Sequence, residues 1–366
     1  MNYIKVGMDA SKEKVVCAWR ANGLGDIRVA TVANREEALK PWINKLQGLG
    51  VVQACYEASS VGYALYRWLA QWGVECEVIA PSLIPKKPGN HVKTDRRDAK
   101  ELLTLMEAGL LTPIRIPTVQ EEALRDLVRS RMDMQKCLTM QKHRLNQLMQ
   151  RHGRIFPGKA HWTRQHHRWL DSQEFSEMAT QRTAGFYRRW VEQGIAELAR
   201  VDEAIQELGP QYKESYALAE KLMCFQGIDT LSGIGLSCEL MDLRRFSKAA
   251  ELMAYTGLTG REYSSGDVIK RRGITKAGNA HVRHILIQAA WKYIHQPDKV
   301  PPRLREHWKT QPAALETLSR KAKYRLHKRY WHLVNAGKAR QKAIVAVARE
   351  FTGFLWAAAQ VETTAA

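Results

Sequence analysis

Tyr3-Ile4-Lys5-Val6-Gly7-Met8-Asp9-Ala10-Ser11 (residues 3–11) is a mostly apolar run that stops on a carboxylate, and its reading decides the fold. Ile4 to Met8 has the makeup of a strand. Val15 to Trp19 and Ile27 to Val32 follow as two more, with turn chemistry at Asn22-Gly23 and Gly25-Asp26, so the opening predicts an antiparallel meander. Beyond it come a helical stretch from Arg35 to Leu46, an apolar strand from Val51 to Tyr56, a helix from Tyr63 to Gln71 and a strand from Cys76 to Ile79. Three strands followed by alternating helices and strands predict an α/β domain with a mixed sheet.

Pro81 to Lys93 carries Pro81, Pro85, Pro88 and Gly89 among basic residues and reads as an irregular loop. A helix resumes at Asp95 and runs to about Glu107, ended by Gly109 and Pro113. Between Glu121 and His152 apolar residues recur at 124, 127, 134, 138, 145 and 148. Admitting Arg131 and Gln141 as polar interruptions, the steps alternate three and four, which predicts a long helix with a coiled-coil-like seam. A second helix carrying Val191, Ile195, Leu198, Ile205 and Leu208 is expected to pack antiparallel against it. Between the two, His161, Trp162, His166, His167 and Trp169 sit in a basic stretch. The aromatics suit either base stacking or anchoring the tip of a helical hairpin, and the histidines read as polar or phosphate-contacting groups rather than metal ligands. After Gly209-Pro210 a helical domain begins. Its Gly227-Ile228 and Gly233-Ile234-Gly235 read as turn glycines ahead of an apolar helix, the logic of a helix-hairpin-helix phosphate contact. The expected fold is therefore α/β plus all-α: a mixed-sheet domain over 1–115, a long helical, coiled-coil-like region over 116–212, and a helical domain over 213–366.

A chain of 366 residues exceeds the size of one growing core, so two or three domains fit its length. Lys and Arg number 57 against 37 Asp and Glu, a formal charge of +20, which points to a polyanionic partner. Residues 1–100 hold 15 basic and 10 acidic side chains, whereas 261–345 hold 20 and 5, so the polyanion is expected mainly along the C-terminal half. Lys270, Arg271, Arg272, Lys276 and Arg283, then Arg320, Lys321, Lys323, Arg325, Lys328 and Arg329, form the densest tracts and suit a phosphate backbone. The six cysteines are scattered, without the paired spacing of a zinc site, and read as reduced, mostly buried thiols. No run reaches the roughly 18 apolar residues of a membrane span, and Lys5 and Asp9 interrupt the start before any signal-like stretch, so a soluble, cytoplasmic protein is expected.

Four acids carry the chemistry. Asp9 and Glu57 each follow an apolar strand, and Asp95 and Asp98 lie three residues apart at a helix start, on one face. Two Mg²⁺ ions about 4 Å apart, held by such oxygens, stabilise the attacking and leaving oxygens of a phosphodiester exchange. For Asp95 and Asp98 the alternative is plain stabilisation of a helix N-terminus. In Tyr263-Ser264-Ser265-Gly266, after Gly257-Leu258-Thr259-Gly260 and before Lys270 to Arg272, a serine in a glycine-bounded loop among cations is placed to attack a phosphate. The alternative is an ordinary turn serine.

The segments Val6 to Ser11, Tyr56-Glu57-Ala58, Ala80 to Pro85 and Lys93-Thr94-Asp95-Arg96-Arg97-Asp98-Ala99 resemble the DEDD transposases of bacterial insertion sequences, recombinases guided by a bridge RNA. The Gly227 to Gly235 stretch, Tyr255-Thr256-Gly257-Leu258, Ser264-Ser265-Gly266 and Gly273 to Asn279 resemble that family's second domain. One departure is Gly260, where family members often carry proline. The resemblance implies a RuvC-like RNase H fold whose Asp9, Glu57, Asp95 and Asp98 bind Mg²⁺, and a serine that becomes covalently joined to DNA, Ser265 first and Ser264 second. It further implies donor and target DNA and a noncoding bridge RNA as partners. It also implies a homo-oligomer, a tetramer built as a dimer of dimers, that joins one subunit's carboxylates to another's serine and is nucleoid-associated in a bacterial cytoplasm. Lys93, Arg96, Arg97, Lys270, Arg271, Arg272, Lys276, Asn279, Arg283, Arg320, Lys321 and Arg325 are the expected nucleic-acid contacts. The rival readings are a metal-dependent junction nuclease with a structural serine, and a non-catalytic nucleic-acid-binding protein whose acids are helix caps.

Overall fold

The computed structural model describes residues 2–85, 94–265 and 268–362, and between 263 and 272 the backbone alone. The chain forms two compact units, Met1–Ile116 and Pro117–Ala366.

The first unit opens with β1 (Tyr3–Ala10), β2 (Lys14–Ala21) and β3 (Arg28–Ala33), an antiparallel meander. Helix α1 (Glu36–Gln47), β4 (Val51–Glu57), α2 (Ala64–Gln71), β5 (Glu75–Ile79) and α3 (Asp95–Glu107) follow. The sheet order is β3-β2-β1-β4-β5, with β1 parallel to β4 and β4 to β5, the mixed sheet that the strand pattern predicts. Period-two alternation sorts its two faces. Ile4, Val6, Met8, Val52, Ala54 and Tyr56 point to one side, where Leu39 and Ile43 of α1 and Leu65 and Leu69 of α2 bury them. On the other side α3 lays Ala99 and Leu103 against Val16 and Ala18, and Leu102 against Cys55 and Ile79. Each such leucine contributes about 1.5–3 kcal/mol by leaving water.

The second unit is helical apart from one hairpin. Its long helix α4 (Val119–Arg151) starts on a Thr118–Glu121 capping box. Next come α5 (Arg164–Asp171) and α6 (Met178–Leu208). Arg131 is ion-paired with Asp202, Gly194 lies against Gln141 and Leu138, and Arg144 covers the Trp190 ring. Rising numbers on α4 thus meet falling numbers on α6, so the two helices are antiparallel. Of the seam residues, Leu124, Leu138, Leu145 and Leu148 are buried, whereas Met134 is exposed. The main core comprises α7 (Lys213–Met223), α8 (Thr230–Leu240), α9 (Ala249–Tyr255), α10 (Ala280–Ala290), α11 (Pro302–Lys309), α12 (Ala313–Asn335) and α13 (Arg340–Ala359). Between α9 and α10 stand β6 (Gly260–Ser265) and β7 (Val268–Ile274), an antiparallel pair.

The structure departs from the sequence pattern at two places. Gly233 and Gly235 lie inside α8 rather than in a turn before it, and a Cβ on Gly233 would meet Met223 Cγ at 2.8 Å. They let α8 close on its neighbours, and their buried amides do not face a phosphate. The stretch around Ser264 and Ser265 is the end of a strand rather than a glycine-bounded loop, because its backbone pairs with Val268 and Ile269.

The aromatics and histidines of 154–182 anchor the hairpin tip. His166 is fully buried, stacked on Trp169 and edge-on to Phe156. The backbone N–H of Trp162 donates to His166 Nδ1 at 3.1 Å, so the ring proton sits on Nε2, 3.2 Å from His161 Nδ1. Burial, reinforced by His161 and His167, pushes its pKa down to about 4. The fold therefore favours the neutral ring, and the unfolded chain takes the proton first. The stability of this tip should be complete above about pH 6.5 and fall as pH drops towards 4. NMR titration of the His166 ring checks this, and a midpoint near 6.5 would contradict the packing.

Candidate active site

Simple geometry puts Asp9 and Glu57 at adjacent strand ends, on the face that α3 covers. Met8 pairs with Tyr56 at the end of the parallel β1–β4 ladder, so Asp9 and Glu57 occupy the next position on adjacent strands. Met8 and Tyr56 point to the α1 and α2 side, so by alternation Asp9 and Glu57 point to the α3 side. Helix α3 runs against the direction of β1. Its last residue, Glu107, accepts from Arg20 Nε at 2.8 Å, and Arg20 is registered with Lys5 near the start of β1. Further along, Ala99 and Leu103 lie over Gly7. The first turn of α3, with Asp95 and Asp98, therefore extends towards the end of β1 where Asp9 stands.

The helix is capped by Thr94, whose hydroxyl accepts from the Arg97 N–H at 3.4 Å. Asp95 instead pairs with Lys14 Nζ at 2.8 Å, both half-exposed. That hydrogen bond, then the Asp95 charge, raises the Lys14 pKa, with smaller contributions from Asp9 and Glu13. Lys14 is a member of this cluster that residue patterns do not reveal, since it reads as an ordinary strand-edge lysine. Among the described residues, no three His, Cys, Asp or Glu side chains are drawn close enough to hold a metal ion together. The donor set is all carboxylate, which suits a hard cation such as Mg²⁺ rather than zinc. The buried thiols of Cys17, Cys55, Cys224 and Cys238 are pushed up to about 12 by burial and are inert.

In the second unit, Ser264 and Ser265 end β6, registered with Ile269 and Val268. The side chains of Lys270, Arg271 and Arg272 on β7 lie outside the described residues, as do those of both serines, and Lys93 lies outside them entirely. Arg96 and Arg97 are exposed on the first turn of α3, and Lys276 is exposed with φ +56°. Other expected contacts have internal partners. Asn279 caps α10, accepting from His281 and Val282 N–H, and donates to Glu239 at 2.7 Å. Arg283 donates to the Thr256 carbonyl at 3.0 Å. Arg320 pairs with Glu316 and covers the Trp308 ring, and Arg325 pairs with Glu350. A tract read from charge alone cannot show such partners. Lys321, Tyr324, Arg325, Lys328, Arg329 and His332 line an open cleft of about 560 Å³, with Glu350 as its acid. Arg349 stands with Arg325 and Arg329 in the neighbouring depression, outside the tracts that sequence singles out. Among the described residues no helix is long and apolar enough to cross a membrane.

Asp9 and Glu57 stand at the ends of two adjacent parallel strands, in one chain with a cation-rich helical unit, an arrangement compatible with chemistry on a phosphodiester backbone. The chain's relatives say which chemistry. Residues 6–154 match a DEDD transposase family model, and residues 219–308 match one described as transposase IS116/IS110/IS902 family. The chain is 38% identical over 361 residues to the transposase y4qE of Sinorhizobium fredii, covering 97% of this chain and 88% of that one. It is 30% identical over 337 residues to the transposase for insertion sequence element IS1533 of Leptospira borgpetersenii, covering 90% and 96%. With the transposase for IS1111A of Coxiella burnetii it shares 25% identity over 252 residues, covering 66% and 65%. The chain belongs to the IS110/IS116/IS902 family of insertion-sequence transposases. It is a DNA-binding enzyme that cuts and recombines DNA, and DEDD domains of this kind use divalent metal ions.

Proposed function

We propose that the protein moves its insertion sequence by serine-mediated strand exchange supported by Mg²⁺. The observation that carries this reading is the placing of Asp9 and Glu57 on adjacent strand ends, facing the first turn of α3. The mixed sheet, in the order β3-β2-β1-β4-β5, supports a RuvC-like RNase H fold. Asp9, Glu57, Asp95 and Asp98 would hold the metal, which supplies charge stabilisation for a phosphodiester in exchange. Ser265 Oγ forms a bond to phosphorus as the bond to a deoxyribose oxygen breaks, and the serine proton ends on that oxygen. A hydroxyl from another DNA end then attacks the phosphoserine, releasing the serine, so rejoining needs no nucleotide cofactor. Ser264 is the second choice.

Lys321, Arg325 and their neighbours on α12, with Arg96, Arg97 and Lys276, would hold DNA or RNA backbones. A noncoding bridge RNA guides the target choice, and the working form is a homo-tetramer assembled through the coiled-coil-like α4–α6 pair, within the cytoplasm at the nucleoid. This reading divides the chain into 1–115, 116–212 and 213–366, for carboxylate chemistry, assembly and serine chemistry.

Trapping tests the serine. A protein–DNA adduct that survives denaturation should form with the native chain and with Ser264→Ala, and disappear with Ser265→Ala. Undiminished cleavage by a Ser264→Ala/Ser265→Ala double variant would instead identify a metal-dependent nuclease.

A further inference from the structure

Glu239, in the middle of the apolar helix α8, is 1% exposed, yet its pKa is lowered despite burial. A buried carboxylate stays ionised only when it is paired and hydrogen-bonded. Its partners come from two distant elements. Arg129 of α4 grips it with both nitrogens, Nε to Oε1 at 2.6 Å and Nη2 to Oε2 at 2.9 Å. Asn279 Nδ2 donates to Oε2 at 2.7 Å, while the Asn279 carbonyl oxygen accepts from two amides at the start of α10.

Asn279 stands at the foot of the β6–β7 hairpin. The two strands of that foot are stapled: Thr275 N–H donates to Thr259 O at 2.9 Å, Lys276 N–H to Gly257 O at 3.1 Å, and Asn279 N–H to Tyr255 O at 3.2 Å. Gly257 and Gly278 both have positive φ, and a Cβ on either would strike the backbone of the facing segment, so the foot closes only with glycine there. Arg261 and Arg283 donate across the same foot to Thr275 O and Thr256 O. The hairpin therefore leaves the helical core from a rigid base, and that base is joined to α8 and α4 through one carboxylate.

We infer that Glu239 and Asn279 form a positioning clamp that sets the orientation of the β6–β7 hairpin, and with it the serine at the end of β6. The inference rests on the serine reading above for its catalytic consequence, though not for the clamp itself. An apolar residue at 239 would serve a helix core equally well. A charged one that reaches both α4 and the hairpin foot is explained by the need to hold that foot in one orientation.

Asn279→Ser and Asn279→Thr test it, since either hydroxyl oxygen still caps α10 while the shorter side chain no longer carries a donor to the position of Asn279 Nδ2. Hydrogen exchange at Thr275, Lys276 and the β6–β7 amides should accelerate while the melting temperature barely moves. The rate of serine–DNA adduct formation should fall on the order of tenfold to a hundredfold with DNA affinity kept. Glu239→Gln combined with Asn279→Asp restores a donor–acceptor pair between the two positions at the loss of one Arg129 hydrogen bond, and should recover part of both readouts relative to Asn279→Asp alone. Unchanged exchange in the serine and threonine variants overturns the clamp, and so does a loosened hairpin that forms adduct at the native rate. If the native chain forms no serine adduct while the exchange responds as stated, the clamp stands and the serine reading falls.

Discussion

Asp9→Asn should lower DNA strand cleavage by about a thousandfold or more while leaving DNA affinity within about twofold of native, because a divalent ion's stabilisation of transition-state charge amounts to several kcal/mol. Asparagine keeps the shape of the side chain and removes its charge. Asp9 stands beyond the last ladder pair of β1 and β4 and is registered with Val16 of β2, and a side-chain change leaves that backbone pairing in place. Every cation proposed to hold a DNA backbone, Arg96 and Arg97 beside the acids included, is unchanged in this variant, so binding and cleavage should separate. Cleavage of a supercoiled donor plasmid in Mg²⁺ and an electrophoretic shift on the same DNA measure the two. A variant that still cuts at the native rate would place the chemistry outside this carboxylate cluster and return Asp9 to a purely local role.

Gly7→Ala should damage the first unit severely for a single added methyl. An added Cβ would fall on the Ala99 carbonyl oxygen and the Leu103 N–H, with Leu103 Cα at 3.0 Å. These are backbone atoms of α3 and cannot rotate aside as a side chain can. Overpacking of this kind costs about 1–3 kcal/mol where neighbours yield, and more where they do not. The helix can relieve the clash only by lifting from β1, which moves Asp95 and Asp98 away from Asp9. A displacement of about 1 Å lowers catalysis about a hundredfold, so stability and cleavage should fall together. Gly185→Ala is the control, since its Cβ would meet only the end of Arg189 at 3.7 Å within α6, and alanine stabilises a helix interior by up to about 1 kcal/mol over glycine. Thermal melting of both variants decides the matter, and a Gly7→Ala chain as stable as native would mean that α3 does not sit on Gly7.

Much of the first unit is legible in the sequence because its signals are local. Apolar runs of strand length mark β1 and β4, and the carboxylate that breaks each run marks the strand's C-terminal end. Asp95 and Asp98 declare a shared face by their spacing. What escaped the sequence depends on partners far away in the chain. Lys14 joins the acids only through the fold, and the internal partners of Asn279 and Arg283, Glu239 and Thr256, lie too far away in the chain to be read. The β6–β7 hairpin hid because Lys270, Arg271 and Arg272 interrupt the alternation that marks a strand, leaving only Val268 and Ile269 as an apolar pair. Gly233 and Gly235 were ambiguous for a related reason, since a glycine that admits a neighbouring helix looks the same in sequence as one that makes a turn.

The ammonium of Lys14 resting on Asp95 supplies a counter-charge from within the first unit. Four carboxylates crowded without any counter-charge would oppose their own assembly, and a domain so made would have to capture its ion in order to fold, as small zinc modules do. Here an intrinsic cation stands among the acids, and the apolar layers on both sides of the sheet hold the unit together by themselves. On the metal reading proposed above, the unit folds without waiting for its ion, because its apolar layers already hold it together.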